Sequence, residues 1–334
     1  MNGPAIKAFH EWVRLEQPRL GTRVVFASDD FFAPKERLIE PAEPIFIADK
    51  YDEHGKWMDG WESRRKRDEG HDYCIVHLGT PGIVHGLDID TRHFTGNFPP
   101  AASVDACVSD EEIPGADAAW YELLPRTELS ADAHHYLQTE NDRVLTHLRL
   151  NIFPDGGIAR LRIYGEVSVD PGIADLQGLI DLFAFENGGR ALQCSDEHFG
   201  SMHNLNLSGR GANMGDGWET ARRRGAGNDW VVLALGCPGV IRKVELDTAH
   251  FKGNYPDRAE IRAANVTNAA DIAAESEHWP LLLPETKLEA DSVHSFADTL
   301  HDVGVVSHVR LSIFPDGGVS RLRLIGTVGK EGGN

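Results

Sequence analysis

Residues 58–67 read MDGWESRRKR, and residues 215–224 read GDGWETARRR. The two segments share the sequence Asp-Gly-Trp-Glu, followed by a hydroxyl residue and then by several basic residues. They lie 157 positions apart, a spacing close to the length of an ordinary domain. The pair therefore indicates an internal duplication.

The duplication extends well beyond this motif. Three further pairs of segments match, namely ASDDFF at 27–32 with CSDEHF at 194–199, DTRHFTGNFP at 90–99 with DTAHFKGNYP at 247–256, and IFPDGG at 152–157 with IFPDGG at 313–318. Because each copy is as long as a domain, we predict two tandem domains and not a solenoid of short repeats. We assign residues 1–170 to the first domain and residues 171–334 to the second.

The charge balance limits the kinds of partner. The 334-residue chain has 33 Lys and Arg residues against 52 Asp and Glu residues, a formal charge of -19. Nucleic acid and anionic membrane surfaces are therefore unsuited as general partners, because both carry negative charge. An anionic ligand would need a local cluster of basic residues.

The sequence gives no sign of export or of membrane insertion. The N-terminus lacks a basic start followed by an apolar segment, and no run of about 18 apolar residues occurs. We therefore predict a cytoplasmic protein. The cysteines occupy non-matching positions in the two copies and form no close metal-type pair. Reduced, buried thiols are expected at Cys74, Cys107, Cys194 and Cys237.

Short β-branched runs separated by turn signals dominate both copies. In the first copy we predict strands at 24–27, 73–78 and 84–89, with a Gly-Thr-Pro-Gly turn between the last two. Strands do not alternate with helices. The pattern predicts an all-β fold of two tandem β-sandwich domains of the jelly-roll kind.

The Pro-Asp-Gly-Gly segment predicts a four-residue turn near the end of each copy, because glycine accommodates positive φ. If the flanking strands pair with each other, Arg149 faces Arg162, and Arg310 faces Arg323 in the second copy. Opposed like charges are destabilising, so we expect carboxylates nearby. The predicted core-facing residues of these strands are Leu148, Leu150, Ile152, Leu161, Ile163, Val309, Leu311, Ile313, Leu322 and Leu324.

Two helices are predicted outside the sheets. Residues 5–15 place Ile6, Phe9, Trp12 and Val13 on one helical face, which indicates a short docking helix. Residues 173–185 carry apolar residues at helical spacing and indicate a linker helix.

Four motifs are each present twice: Ser-Asp-[Asp/Glu]-x-Phe, Asp-Gly-Trp-Glu-[Ser/Thr], Asp-Thr-x-His-Phe-x-Gly-Asn-[Phe/Tyr]-Pro and Phe-Pro-Asp-Gly-Gly. Together they resemble the allantoicase family, also called allantoate amidinohydrolase, over nearly the whole chain. The resemblance implies two jelly-roll domains similar to galactose-binding-like modules. It also implies the hydrolysis of allantoate to ureidoglycolate and urea in purine and allantoin breakdown. We accordingly expect a small ureide substrate as the partner, and a homo-oligomer.

Losing urea from allantoate requires cleavage of a carbon–nitrogen bond beside a carboxylate. The reaction calls for a cation to bind the carboxylate, an acid for the leaving nitrogen, and a base or metal to activate water. Arginine suits the carboxylate because its planar guanidinium donates two parallel hydrogen bonds. Internal salt bridges are the alternative role for such arginines. The candidates are Arg65, Arg149, Arg162, Arg222, Arg310 and Arg323.

The matching loops at 90–99 and 247–256 each carry an aspartate, a histidine and an asparagine. The histidine can protonate a leaving nitrogen, and the asparagine can hydrogen-bond a ureido carbonyl. Alternatively, both serve the conformation of a loop beside glycine. The glutamate of Asp-Gly-Trp-Glu can act as a general base or bind a ureido NH2 group. The candidate catalytic residues are Glu62, Asp90, His93, Glu219, Asp247 and His250, and the candidate substrate-binding asparagines are Asn97 and Asn254.

Other duplicated residues have two interpretations. The acidic pairs at 29–30 and 196–197 can act as bases or can cap a turn at a strand end. A divalent metal stays open as a cofactor, because His and acidic residues are available although no compact ligand motif occurs. Trp61 and Trp218 are interpreted as core residues. The further duplicated histidines are His135, His147, His294 and His308.

Two other functions compete with allantoate hydrolysis. Sandwich domains often bind small ligands or carbohydrates without turnover, and a neighbouring ureide such as ureidoglycolate also carries a carboxylate beside a ureido group. The abundance of His, Asp, Glu and Arg in the duplicated loops favours chemistry. The sequence leaves open whether each repeat carries an active site, whether one site forms at the junction of the repeats, or whether only one repeat is active.

Overall fold

The computed structural model describes Phe9, residues 12–168, Gly172, residues 178–267 and residues 269–329. The chain divides into two compact units, residues 1–168 and residues 169–334, which we call the first and second repeat.

The strands of the first repeat are β1 (Val13–Arg14), β2 (Arg23–Ala27), β3 (Tyr51–Asp52), β4 (Gly55–Lys56), β5 (Trp61–Glu62), β6 (Asp72–Asp90), β7 (Ala101–Cys107), β8 (Tyr121–Glu128), β9 (Tyr136–Gln138), β10 (Val144–Phe153), β11 (Gly157–Ile158) and β12 (Arg160–Val167). Those of the second repeat are β13 (Ile180–Asp181), β14 (Arg190–Cys194), β15 (Trp218–Glu219), β16 (Asp229–Asp247), β17 (Arg258–Ala264), β18 (Leu281–Lys287), β19 (Val293–Phe296), β20 (Val306–Phe314), β21 (Gly318–Val319) and β22 (Arg321–Val328).

Helical segments are short. An α-helix, α1, spans Ile272–Ser276, and its N-terminus is capped by the Asp271 side chain. The 3-10 helices are Pro18–Leu20, Lys35–Ile39, Phe185–Asn187, Met202–Asn204 and Met214–Asp216. None of the helices in the described part of the chain is long and apolar enough to cross a membrane.

A single long strand organises the first repeat. The first part of β6 pairs with β2 and β10, and its last part pairs with β12 and β9. The pairing with β10 shifts register around residues 78–81, at the Gly-Thr-Pro-Gly sequence that predicted a turn. An irregularity of this kind bends a strand. Thus β6 takes part in two layers, β2-β6-β10-β7-β8 and β1-β12-β6-β9.

The second repeat has the same arrangement around β16. Its layers are β14-β16-β20-β17-β18 and β13-β22-β16-β19. The predicted all-β fold of two tandem β-sandwich domains is confirmed. All ten predicted core-facing residues of β10, β12, β20 and β22 are fully buried. Each such side chain contributes about 1.5–3 kcal/mol to folding.

The predicted pairing around Pro-Asp-Gly-Gly is wrong in both repeats. β6 lies between β10 and β12, so Arg149 is opposite Ile75 and Asp105 and does not face Arg162. In the second repeat β16 separates β20 from β22 in the same way, and therefore Arg310 does not face Arg323. The turn instead leads into β11, which pairs with β5 in a separate two-stranded sheet.

The two predicted helices are contradicted at the residues that form strands. Within 5–15, Phe9 is helical and Val13–Arg14 forms β1, while residues 5–8, 10 and 11 lie outside the described residues. Within 173–185, Ile180–Asp181 forms β13, and residues 173–177 lie outside the described residues. Both segments pair with a sheet edge, β1 with β12 and β13 with β22. Backbone pairing with a sheet overrides apolar spacing that also suits a helix.

The predicted burial of the tryptophans is confirmed, and that of the cysteines is confirmed in part. Trp61 and Trp218 are fully buried core residues, as predicted. The four cysteines are free thiols; Cys74 and Cys107 are buried, whereas Cys194 and Cys237 are only half-buried. Burial raises the pKa of Cys107 to about 11, which keeps that thiol protonated at neutral pH.

The close approach of β11 to the preceding loop gives a test of the fold. A Cβ added to Gly157 would lie 2.0 Å from the Phe94 ring. We expect Gly157→Ala to destabilise the protein by about 1–3 kcal/mol through overpacking, measured by urea unfolding. Gly96→Ala is the control, because a Cβ there meets nothing within 4 Å. Equal stability of the two variants would contradict the packing described.

Candidate active site

The Asp-Gly-Trp-Glu motif places one glutamate between two backbone partners. The Glu62 N–H donates to Ala33 O at 3.1 Å, and β5 pairs Glu62 with Gly157 on the other side. The adjacent Trp61 indole is buried, and its Nε1–H donates to Asp29 O at 2.9 Å. Glu219 is held identically, by a bridge to Gly200 and by pairing with Gly318.

The predicted asparagines reach these glutamates. Asn97 Nδ2 donates to Glu62 Oε1 at 2.6 Å, and Asn254 Nδ2 donates to Glu219 Oε1. The backbone carbonyl of Asn97 also accepts from Gly157 N at 2.8 Å. The asparagine loop and the Pro-Asp-Gly-Gly turn therefore fix the position of the glutamate together.

A cleft lies beside this glutamate in each repeat. In the first repeat a cavity of about 370 Å³ is lined by Glu62, Arg65 and Asn97, together with the Pro154–Gly156 turn. In the second repeat a cavity of about 550 Å³ is lined by the copies of these residues, namely Glu219, Arg222, Asn254 and the turn at 315–317. The structure thus brings together three predicted residues per repeat.

The cleft arginines differ from the other candidates because they lack protein partners. Arg65 and Arg222 are exposed, and neither forms an ion pair with any residue that the structure describes. Glu62 is buried and Glu219 is half-buried, and they too form no ion pair within the described residues. Each cleft therefore presents an arginine and a carboxylate available to a ligand.

The remaining candidate arginines bind protein groups away from the clefts. Arg149 donates to the Asp105 carboxylate at 2.7 Å, and Arg162 donates to the Glu40 carbonyl at 2.6 Å. Arg310 donates to Ser276 Oγ at 2.8 Å and packs over the Trp230 ring, and Arg323 donates to Leu207 O at 2.6 Å. Carboxylates lie near these arginines as expected, among them Asp105, Glu16 at 3.8 Å from Arg162, Glu277 at 3.5 Å from Arg310 and Asp181 at 3.7 Å from Arg323.

Asp90 and Asp247 are buried and hold their own loops. The Asp90 carboxylate accepts from Arg92 N at 2.8 Å and from the Arg92 guanidinium at 2.7 Å. The second repeat has Ala249 in place of Arg92, and Arg210 provides the guanidinium at 3.2 Å from Asp247. Neither aspartate lines the clefts described above.

His93 and His250 share an unusual conformation, with φ of 71° in both. Their backbone N–H groups donate to Asp132 and Asp291 at 2.8 Å. His93 Nε2–H donates to a backbone carbonyl at 3.1 Å, and His250 Nε2–H does so at 2.7 Å. His93 also lines a second cavity of about 380 Å³, whose wall shares Phe32, Glu62 and Asn97 with the first.

The other duplicated polar residues maintain the fold. His135 Nε2 accepts from Ser130 N at 2.8 Å, so its Nδ1–H must donate to Ile89 O at 2.7 Å, and His294 repeats this pattern. His147 and His308 bond to the preceding hydroxyl residue. Burial and the neighbouring His77 lower the pKa of His147 to about 4. Asp29 accepts from the Arg64 backbone at 3.0 Å, and Asp196 likewise accepts from the Ala221 backbone.

The structure adds residues that the sequence analysis missed. Asp155 and Asp316, in the two Pro-Asp-Gly-Gly turns, line the clefts, and their carboxylates accept from Lys66 N at 2.8 Å and Arg223 N at 2.9 Å. Both aspartates belong to the duplicated Pro-Asp-Gly-Gly motif, and this duplication is the signal in the sequence that points to them. Across the described residues no group of three or more His, Cys, Asp or Glu is arranged to hold a metal ion.

Burial sets the protonation of Glu62. Desolvation raises its pKa, the hydrogen bond from Asn97 acts in the opposite direction, and Asp52 adds a further increase. A raised pKa near an unpaired arginine is typical of a functional carboxylate. In the folded protein Glu62 therefore takes up a proton at higher pH than in the unfolded chain.

The raised pKa of Glu62 predicts how the stability of the protein changes with pH. Stability falls as pH rises through the folded pKa of Glu62, since the unfolded chain holds the charged form more easily. We expect Glu62→Gln to raise Tm by about 1–3 °C at pH 8 and by less at pH 4, measured by calorimetry. Glu111→Gln is the exposed control and should change Tm little at either pH. A lower Tm of Glu62→Gln at pH 8 would show that the charged carboxylate stabilises the fold.

Comparison with known proteins assigns the family. The allantoicase repeat model matches residues 13–168 and again residues 180–329. The chain is 56% identical over 327 residues to probable allantoicase 2 of Burkholderia pseudomallei, covering 97% of both chains. It is 55% identical over 320 residues to a probable allantoicase of Photobacterium profundum, covering 95% of this chain and 97% of that one. A crystal structure of allantoicase from Saccharomyces cerevisiae superposes with a TM-score of 0.82 at 35% identity, covering 97% of this chain and 98% of the other. The chain, with two repeats built around the same glutamate, arginine and asparagine, belongs to the allantoicase family.

Proposed function

We propose that this protein hydrolyses allantoate to ureidoglycolate and urea in purine degradation, and that the two clefts bind the substrate. We place the site in these clefts because each is lined by an arginine and a glutamate that form no ion pair within the described residues. These are Arg65 with Glu62 and Arg222 with Glu219. An arginine without a protein carboxylate partner is suited to a carboxylate ligand. Among the six candidate arginines these two alone line the described clefts.

The residues then have separate roles. Arg65 holds the substrate carboxylate by two hydrogen bonds, and Glu62 takes a proton from the attacking water. Asn97 orients Glu62 and lowers the cost of its charged form. The hydroxyl adds to the central carbon as the carbon–nitrogen bond breaks, and the electron pair of that bond remains on the urea nitrogen.

The departing nitrogen needs a proton. In the first repeat we assign this step to His93, because it lines a cavity that Glu62 also lines. Its Nε2–H is bonded to a backbone carbonyl, so the protonated ring has Nδ1–H available as the donor. His250 has the same backbone conformation and an equivalent carbonyl bond, which supports the same role in the second repeat.

A homo-oligomer in the cytoplasm is also proposed. Four free cysteines support a reducing compartment. Three consecutive exposed apolar side chains, Ile45, Phe46 and Ile47, support association between chains. Analytical ultracentrifugation at micromolar concentration should give a mass at least twice the 36.8 kDa of one chain. A monomer at that concentration would contradict the oligomer.

The arginine assignment is tested by substitution in both repeats. We expect the double variant Arg65→Met/Arg222→Met to lose about 100-fold or more in kcat/KM for urea release from allantoate, because two charged hydrogen bonds to the carboxylate disappear. The matched control is Arg67→Met/Arg224→Met, which removes an exposed arginine two residues further along in each repeat.

The control should keep its activity, and both double variants should keep their fold by circular dichroism. Unchanged kcat/KM in Arg65→Met/Arg222→Met would remove these arginines from the site. Absence of urea release by the wild-type protein would refute the proposed activity itself.

A further inference from the structure

The two repeats differ most in one segment. Between Ala33 and Trp61 the first repeat has 27 residues (34–60), whereas between the matching Gly200 and Trp218 the second has 17 (201–217). The longer segment contains the hairpin of β3 and β4, and residues 201–217 contain no strand. The second repeat therefore has no counterpart of this hairpin.

The inserted hairpin is internally bonded. Lys56 Nζ donates to the Ile47 carbonyl at 2.9 Å and to the Ala48 carbonyl, and it lies over the rings of Phe46 and Tyr51. Trp57 at its end is buried, with Lys50 Nζ 3.6 Å from its ring centre. These contacts hold the hairpin as a defined wall.

That wall lines one side of the second cavity of the first repeat. Phe46, His54 and Lys56 come from the insertion, and His93 comes from the Asp-Thr-x-His loop. The cavity meets the Arg65 cleft at Glu62 and Asn97, which line both. A ligand centred on Glu62 can therefore extend in two directions.

We infer that this second cavity is a subsite for the ureido arm that leaves as urea, an inference that rests on the proposed function. Allantoate has a central carbon that bears a carboxylate and two ureido arms. The carboxylate and the retained arm occupy the Arg65 cleft, and the leaving arm lies in the second cavity. There His54 and Lys56 face the carbonyl of the leaving arm, and His93 faces its nitrogen.

The subsite makes His54 a specificity-determining residue. It increases the affinity for ligands with a second ureido arm and does not change the affinity for a carboxylate with one ureido arm. In the second repeat the equivalent side of Asn254 is approached by Met214, whose sulfur lies 3.9 Å from Asn254 Nδ2. An apolar thioether there provides no charged or imidazole group for a second arm.

The test compares a two-armed with a one-armed ligand. Turnover of allantoate is measured by urea release, and binding of allantoate and of N-carbamoylglycine is measured by calorimetry in a Glu62→Gln/Glu219→Gln background. With Arg222→Met present in every protein compared, so that only the cleft of the first repeat binds ligand, we expect His54→Ala to lower kcat/KM and allantoate affinity by about tenfold. This is the effect of losing one polar contact to the ligand, and N-carbamoylglycine affinity should stay within twofold.

Two further variants define the effect. His54→Gln retains a hydrogen-bond donor and should recover most of the allantoate affinity, and His278→Ala changes an exposed histidine of the second repeat and should alter neither ligand. Equal loss of both ligands in His54→Ala, or no loss of allantoate, would overturn the subsite. A wild-type protein that binds allantoate but releases no urea would refute the proposed hydrolysis, and the affinity comparison would still decide whether the subsite exists.

Discussion

The backbone of one glutamate in each repeat is hydrogen-bonded from both sides, and the candidate site depends on that constraint. Glu62 lies between Ala33 and Gly157, and Asn97 bonds to its side chain. The glycine is required because the ring of Phe94 occupies the space of a side chain. Three distant segments therefore converge on one carboxylate, which keeps its position while buried next to a cleft.

The distribution of arginines follows from charge pairing. Most duplicated arginines face sheet surfaces or loops, where carboxylates and backbone carbonyls are within reach, and those arginines contribute to the fold. Arg65 and Arg222 follow the glutamate motif directly, at the rim of a cleft with no described carboxylate partner. Arginines with a nearby carboxylate or carbonyl acceptor therefore stabilise the fold, and arginines without one are available to a ligand.

Divergence between the repeats has preserved some interactions and changed others. The buried Asp247 receives a guanidinium from Arg210, although the position that matches Arg92 is an alanine. A buried carboxylate without a cationic partner destabilises the folded protein, and Arg210 therefore compensates for the arginine that is absent from position 249. The β3–β4 hairpin has no such replacement in the second repeat, and this asymmetry is the basis for placing the subsite for the leaving arm in the first repeat only.

The sequence by itself determined the duplication, the all-β class, the buried faces of four strands and the motifs that carry the site. These follow from local repetition and from the two-residue period of strands, which a single chain displays directly. Tertiary structure alone decided that β6 separates β10 from β12, and that residues 180–181 pair with a sheet instead of forming a helix. It also decided which arginines are free and that Asp155 lines a cleft. The physical reason is that pairing partners and charge neighbours come from segments far apart in the chain, and their proximity is not encoded in local spacing.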